Sequence, residues 1–152
     1  LLIVAQSHRD WQVYVFHGDE PPASIREQLH SLPNFHWRRD SATADWREMR
    51  VAVFPYQVDR LTESWVPTEL LTAMTYEVPI VCTPLHEVAR LDAPVLFAAE
   101  GFGFVRQAES LLREPEFAAA RAQAARAFLT REHSPSVVAQ RLRRALDSYL
   151  QN

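Results

Sequence analysis

The residues with the clearest capacity for binding chemistry lie around positions 59–69. A polar loop over Asp59–Val66 contains Ser64 and leads into Pro67, which favours the first turn of a helix, and then Thr68. The amino end of a helix offers free N–H groups and the positive end of the helix dipole, both suited to an anion such as phosphate. The two hydroxyls can donate hydrogen bonds to that anion, or they can act as ordinary helix caps.

Two larger side chains accompany these hydroxyls in the same loop. Arg60 is the nearest positive charge, and a guanidinium can contact phosphate in a bidentate manner, although a solvated loop residue is the other interpretation. Trp65 stands just before the helix start, where it can stack on a base or sugar ring or anchor the loop to the core. The sequence leaves both pairs of alternatives open.

The elements that must position this loop are short apolar strands alternating with helices. Strands are predicted at Trp11–Phe16, Phe35–Trp37, Val51–Phe54, Pro79–Cys82 and Pro94–Ala98. Helices are predicted at Leu1–Arg9, Ala23–Leu32, Pro67–Tyr76, His86–Leu91, Phe104–Arg113, Pro115–Arg131 and from Ser134-Pro135 onward, with one helical turn at Asp45–Arg50. The alternation predicts an α/β fold, a Rossmann-like parallel sheet with helices on both faces. Because the chain opens on a helix, we expect a first strand to lie outside it.

The polar loop follows the predicted strand Val51–Phe54, a continuous apolar run typical of a strand covered on both faces. Loops at the carboxyl ends of parallel strands are where open α/β sheets bind ligands. The last predicted helix keeps one apolar face, formed by Val138, Leu142, Ala145, Leu146 and Tyr149.

Composition narrows the classes of function. The 152 residues include one cysteine, Cys82, which we expect to be buried and unreactive in its apolar strand, and all 16 basic residues are arginine. The absence of lysine excludes a Schiff-base lysine and a Walker-A lysine from this chain. Net charge is −3, so no basic field favours nucleic acid as a partner. The six histidines show no metal-binding spacing, and no metal site is expected.

Four segments carry a family resemblance that spans nearly the whole chain. They are Asp10–Gly18, Leu32–Trp37, Met49–Tyr56 and, most specifically, SWVPTELLTAMTYEVPIVCTP at Ser64–Pro84, followed by LHEV. Together they resemble the C-terminal, nucleotide-sugar-binding half of GT-B glycosyltransferases, particularly bacterial polysaccharide and teichuronic-acid-type enzymes.

The resemblance implies that residues 1–152 form a single donor-binding domain of a longer two-domain protein. Such a protein transfers a sugar from a nucleotide diphosphate sugar to a glycan or lipid-linked acceptor, without a tightly bound cofactor. An N-terminal acceptor-binding domain completes the enzyme, so the isolated domain is not expected to turn over. The resemblance places the diphosphate at the loop and the helix start, and it assigns no catalytic residue here.

At several positions this chain differs from the family pattern. Thr72 stands where the family has its ribose-binding Glu, Ser64 stands where many relatives have a partner Glu, and Glu69 replaces a first-turn basic residue. Glu63, one position from Ser64, is a candidate to supply the missing carboxylate. Glu87 is placed to contact donor-sugar hydroxyls, or it simply suits the dipole of a short helix.

These substitutions support a second hypothesis, a catalytically degenerate glycosyltransferase-like module acting in protein or glycan binding. A phosphorelay receiver domain ranks far lower, because it needs clustered aspartates and a lysine. We expect a cytoplasmic location. The arginines of the final helices either meet anionic lipid at the inner face of the membrane or form a solvated face; they are Arg121, Arg126, Arg131, Arg141, Arg143 and Arg144.

Overall fold

The computed structural model describes residues 2–39 and 45–150, which form a mixed α/β protein with short parallel sheets. The chain divides into two compact units, Leu1–Asp45 and Trp46–Asn152. Each unit has its own small sheet, of two strands in the first and three in the second, within the part of the chain that is described.

The first unit contains helix α1 (Leu2–Ser7), strand β1 (Val13–Phe16), helix α2 (Ala23–His30) and strand β2 (Phe35–Arg38). The two strands pair in parallel, with Val13 opposite Phe35. Parallel pairing requires a crossover connection, which α2 provides.

A buried asparagine fixes the start of this unit. The Asn34 side-chain Nδ2 lies 3.0 Å from each of the carbonyl oxygens of Ala5, His8 and Trp11, and the Asn34 carbonyl accepts from the Val13 N–H at 2.8 Å. The end of α1 and the beginning of β1 are therefore held against the residue that precedes β2.

The sheet of the second unit has the order β3-β4-β5, all parallel: β3 is Ala52–Phe54, β4 is Ile80–Cys82 and β5 is Leu96–Phe97. Every residue of the central strand β4 is buried. In β3 only Ala52 is buried, but Phe54 on the same face packs against the main core and Val53 on the other face packs against a second cluster with Val81 and Leu111, so β3 is covered on both faces, as expected, though less completely than β4. Burial of Cys82 is also confirmed.

Five helices complete the second unit: α3 (Thr68–Thr75), α4 (His86–Arg90), α5 (Gly101–Arg113), α6 (Pro115–His133) and α7 (Pro135–Leu150). Leu70, Ala73 and Met74 of α3 join the main core, which also contains Val88 of α4 and Phe128 of α6. Helix α5 begins three residues earlier than predicted. Residues 46–49 form a hydrogen-bonded turn, not the expected helical turn, with the Met49 N–H donating to Trp46 at 3.3 Å.

The arginines of α6 act chiefly within the fold. Arg121 donates from Nη2 to the carbonyl of Val95, beside β5, at 3.0 Å, and Arg126 donates from Nη1 to the carbonyl of Thr75 at the end of α3, at 3.1 Å. The first bond joins α6 to the start of β5, and the second joins it to α3. Arg126 is nevertheless exposed to solvent, whereas Arg121 is partly buried.

Candidate functional site

The candidate site lies at the carboxyl edge of the sheet in the second unit. Because β3, β4 and β5 are parallel, the segments that follow them all begin at this edge. The segment after β3 runs through a short 3-10 helix at Thr62–Ser64 to α3, and the segment after β4 runs through Thr83 to α4. Helix α4 packs beside the 3-10 helix, so the two connections are neighbours.

Thr83 joins these two connections. Its side chain is buried, its hydroxyl donates to the carbonyl of Tyr56 at 3.0 Å, and its backbone N–H donates to the carbonyl of Phe54 at 3.1 Å. The exit from β3 is thereby fixed to the exit from β4. The sequence pattern does not predict this contact, because it does not show that the Thr83 hydroxyl lies next to the connection that follows β3.

The loop after β3 is organised by Asp59 and Thr62. The Asp59 carboxylate Oδ1 accepts the backbone N–H groups of Leu61 and Thr62, both at 2.9 Å, and the Asp59 N–H donates to the Thr62 hydroxyl at 2.8 Å. That hydroxyl donates in turn to the carbonyl of Gln57 at 2.8 Å. Bonds from the Thr62 backbone and side chain lower the pKa of Asp59. An acidic residue capping a turn three residues ahead was the available sequence signal.

The side chains of Arg60 and Glu63 are exposed on this ordered loop. Ser64 is also exposed, and its hydroxyl has only long contacts, of 3.4 and 3.5 Å, to the carbonyls of Leu61 and Arg60. Contacts of this length are weak hydrogen bonds. The Ser64 hydroxyl is therefore available to a ligand. Among the described residues, the side chains of Ser64 and Glu63 have no contact partner in common.

The amino end of α3 carries no side-chain cap. Pro67 occupies the capping position and is buried, so neither Ser64 nor Thr68 caps this helix, and the capping interpretation of both hydroxyls is wrong here. Thr68 instead donates to the Glu69 carboxylate at 3.2 Å. The backbone N–H groups of the first turn of α3 have no side-chain partners, and the Glu69 carboxylate lies in the same turn.

Thr72 lies one turn further along α3. Its hydroxyl donates to the carbonyl of Thr68 at 3.0 Å, a bond within the helix backbone. This engagement is typical of threonine in helix interiors. Thr72 therefore offers a ligand fewer free groups than a carboxylate at the same position would.

An aromatic pair flanks the start of α3. The rings of Tyr56 and Trp65 meet edge to face, with centroids 5.3 Å apart, and Phe54 stacks on Tyr56 at 6.1 Å. Burial, and secondly the charge of Glu69, raise the pKa of Tyr56. Trp65 is 40% exposed. Trp65 is therefore anchored on Tyr56, and part of its surface is still exposed to solvent.

Glu87 is held by an ion pair within α4. Its Oε2 accepts from Arg90 at 2.7 Å and 3.0 Å, and this contact lowers the pKa of Glu87. The carboxylate is only partly exposed. These contacts support the interpretation in which Glu87 stabilises its own short helix.

Taken together, the described residues bring Arg60, Glu63, Ser64, Trp65 and Thr68 into one continuous segment, with Glu87 on the neighbouring α4 and Thr72 facing back into its own helix. Within the same residues, no group of three or more His, Cys, Asp or Glu side chains is arranged to hold a metal ion. No helix in residues 2–39 or 45–150 is long and apolar enough to cross a membrane.

No protein-family model matches the chain, and a comparison with curated proteins finds no significant match.

Proposed function

We propose that this chain is the donor-binding domain of a GT-B-type glycosyltransferase. It binds a nucleotide diphosphate sugar at the carboxyl edge of β3 and β4, for transfer of the sugar to a glycan or lipid-linked acceptor. The main supporting observation is the uncapped amino end of α3, which follows an ordered loop at that edge and lies beside the half-exposed Trp65.

The chemistry of these groups suits such a donor. Free N–H groups at a helix start, together with the Ser64 and Thr68 hydroxyls, can receive the phosphates, and the departing diphosphate is then stabilised without a tightly bound metal. Arg60 is the exposed guanidinium on the same loop. The exposed part of Trp65 provides a surface on which a base or sugar can stack.

Catalysis would require more than this chain. We assign no catalytic residue within it and expect the base and the acceptor site on an N-terminal domain, so the isolated chain binds the donor but does not turn over. A cytoplasmic location fits a nucleotide-sugar substrate.

Calorimetric titration with UDP, GDP, TDP and their sugar conjugates tests the proposal. We expect saturable binding of one nucleotide. Thr68→Asp adds a negative charge next to the phosphates and should weaken binding at least about fivefold, since one unit charge at about 4 Å in water is worth about 1 kcal/mol.

Thr130→Asp is the matched control. It makes the same change in charge at an exposed threonine of α6, one turn beyond Arg126, which bonds the opposite end of α3. This variant should keep wild-type affinity. Binding of no nucleotide by the folded chain, or equal losses in both variants, would contradict a donor site at α3.

One observation favours a second candidate, the catalytically degenerate module that acts in protein or glycan binding. The Glu69 carboxylate already lies in the first turn of α3 and accepts the Thr68 hydroxyl, so an anion occupies the region that a diphosphate would need. Glu69→Gln separates the two candidates. If the site binds a donor, removal of this charge strengthens nucleotide binding about fivefold; in a degenerate module, neither the wild type nor the variant binds a nucleotide.

A further inference from the structure

Glu69 is a partly buried carboxylate in the first turn of α3. Its Oε2 accepts the Thr68 hydroxyl at 3.2 Å, and within residues 2–39 and 45–150 no arginine or histidine lies within ion-pair distance of it. A carboxylate that is partly withdrawn from water is normally paired with a cation or held by several hydrogen bonds. The negative charge of Glu69 is therefore not neutralised by another side chain of the described chain.

Two other carboxylates of the same region are engaged with the protein. Asp59 accepts two backbone N–H groups of its own loop, and Glu87 accepts the guanidinium of Arg90. Among the described residues, in contrast, the Oε1 oxygen of Glu69 has no hydrogen-bond donor. Glu69 is thus placed to bind a cation that comes from outside the chain.

The segment that would receive the donor phosphates is itself negatively charged. From Tyr56 to Glu69 it contains three acidic residues and one basic residue, a net charge of −2; they are Asp59, Glu63, Glu69 and Arg60. The charge of Glu69 contributes, after burial, to the raised pKa of Tyr56. A nucleotide diphosphate sugar adds a negative charge on each phosphate, so like charges would meet at this helix start unless a cation accompanies the donor.

The distances around Thr68 fit a cation shared between protein and donor. A phosphate oxygen within about 2.8 Å of the Thr68 hydroxyl oxygen lies no more than about 6 Å from Glu69 Oε2, because the hydroxyl is 3.2 Å from that carboxylate oxygen. Mg²⁺ binds each oxygen ligand at about 2.0–2.1 Å, so two ligands of one ion are about 3–4 Å apart. The carboxylate and the phosphate can therefore coordinate the same ion.

We propose that the donor binds at this site as its Mg²⁺ complex, with a carboxylate oxygen of Glu69 and oxygens of the diphosphate as ligands of one ion. This inference rests on the proposed function, because it concerns the donor of that same site. Mg²⁺ is typically held by one or two carboxylates together with substrate phosphates, and it keeps several water ligands. The ion therefore arrives with the donor and leaves with the nucleoside diphosphate, without being a resident metal of the protein.

The experiment is calorimetric titration of the 152-residue chain with UDP, GDP and TDP, in about 0.1 M NaCl with either EDTA or about 5 mM MgCl₂. At this salt concentration the added MgCl₂ changes the screening of charges little. We expect the nucleotide that binds to do so at least about fivefold more tightly in Mg²⁺ than in EDTA.

Glu69→Gln should change the sign of its effect between the two buffers. In EDTA it removes a repulsive charge and should bind about fivefold more tightly than wild type. In Mg²⁺ it removes a ligand of the ion and should bind at least about fivefold more weakly than wild type. Glu69→Asp keeps the carboxylate and should still bind more tightly in Mg²⁺ than in EDTA.

Glu116→Gln is the matched control. It makes the same change at an exposed glutamate in the first turn of α6, and it should bind within about twofold of wild type in both buffers. Circular dichroism spectra and Tm values show whether each variant is folded.

Three results would overturn the inference and leave the proposed function in place. The first is equal affinity of the wild type in the two buffers. The second is tighter binding by Glu69→Gln in both buffers, which would make the carboxylate purely repulsive. The third is an equal loss in Glu116→Gln in Mg²⁺. Binding of no nucleotide in either buffer would contradict the proposed function itself, and with it this inference.

Discussion

The hydroxyl of Thr83 donates a 3.0 Å hydrogen bond to the backbone carbonyl of Tyr56 and thereby joins the first residues after β4 to the first residues after β3. The same residue bonds the carbonyl of Phe54 through its backbone N–H. Both connections that border the candidate site are therefore joined through one small buried residue.

Thr83→Val removes this hydroxyl while preserving the shape of the side chain. The Tyr56 carbonyl loses its partner, and we expect the free energy of unfolding to fall by about 1–3 kcal/mol, measured by urea denaturation. Thr75→Val is the control, because the Thr75 hydroxyl is exposed and bonds only within α3. If the free energy of unfolding falls no more in Thr83→Val than in Thr75→Val, the Thr83 hydroxyl bond adds nothing to stability.

Asp59 supplies a pH dependence with a definite sign. Its pKa is lowered in the folded chain by bonds from Thr62, so its contribution to stability is present above its ordinary pKa of 3.8 and is lost as pH falls through the folded value. Asp59→Asn should therefore be less stable than wild type at pH 6, and this difference should shrink as pH falls below 3.8. Urea midpoints from pH 2.5 to pH 6 measure it; a difference constant across this range would exclude the carboxylate as its source.

Cys82 gives the opposite pH dependence. Burial raises the pKa of its thiol from 9.0 to about 12. The unfolded chain releases this proton first, so stability is complete below pH 9 and falls as pH rises from there toward 12. Cys82→Ala should show a shallower fall in urea midpoint between pH 8.5 and 10.5. The part of the fall that persists in the variant is expected from Tyr56, whose pKa is also raised.

We expect Arg121 to stabilise the fold through its hydrogen bond from α6 to the carbonyl of Val95, beside β5. Arg121→Met keeps the long apolar part of the side chain but leaves the carbonyl of the buried Val95 without its 3.0 Å donor. The free energy of unfolding should fall by about 1–3 kcal/mol. In Arg113→Met, a matched change at an exposed arginine with only a 3.8 Å ion pair, it should change by about 0.5 kcal/mol or less. Similar losses in the two variants would argue against this stabilising role.

Trp65 offers a test of stacking at the candidate donor site. If a base or sugar lies on its exposed surface, Trp65→Ala should weaken nucleotide binding by about 1–3 kcal/mol, and Trp65→Phe should retain most of the affinity. Titration calorimetry with the nucleotide that binds wild type measures both. Equal affinity in the alanine variant would remove Trp65 from the ligand contacts.

The fold class could be predicted because apolar runs and their separators are local signals. All five strands and the main helices were predicted close to their positions, and the strand pairs are parallel as expected. Burial could not be predicted equally well. Val51–Phe54 and Pro79–Cys82 are similar apolar runs, yet β4 is buried throughout because it is the central strand of its sheet, while β3 is not.

The loop and the helix start at the candidate site could be predicted, but the contacts of the individual side chains could not. The loop and helix start follow from Pro67 and the polar residues before it, whereas the partners of each side chain depend on which groups the fold brings near. Arg90 donates to Glu87, and the Thr72 hydroxyl donates to the backbone of its own helix. Residue spacing alone does not tell whether such a side chain contacts the protein or a ligand. In α7 the apolar periodicity was correct, but periodicity does not say what lies opposite the face.

The loop between Gln57 and Thr62 is already ordered by hydrogen bonds in the folded chain, and its turns are closed by its own side chains. The entropy cost of ordering it therefore belongs to folding and not to ligand binding. A ligand arriving at the start of α3 would meet a loop that is already shaped and would lose little affinity to its immobilisation. Low pH protonates Asp59 and weakens the hydrogen bonds that order the loop. The entropy cost of ordering the loop would then fall on ligand binding and lower the affinity before the core unfolds.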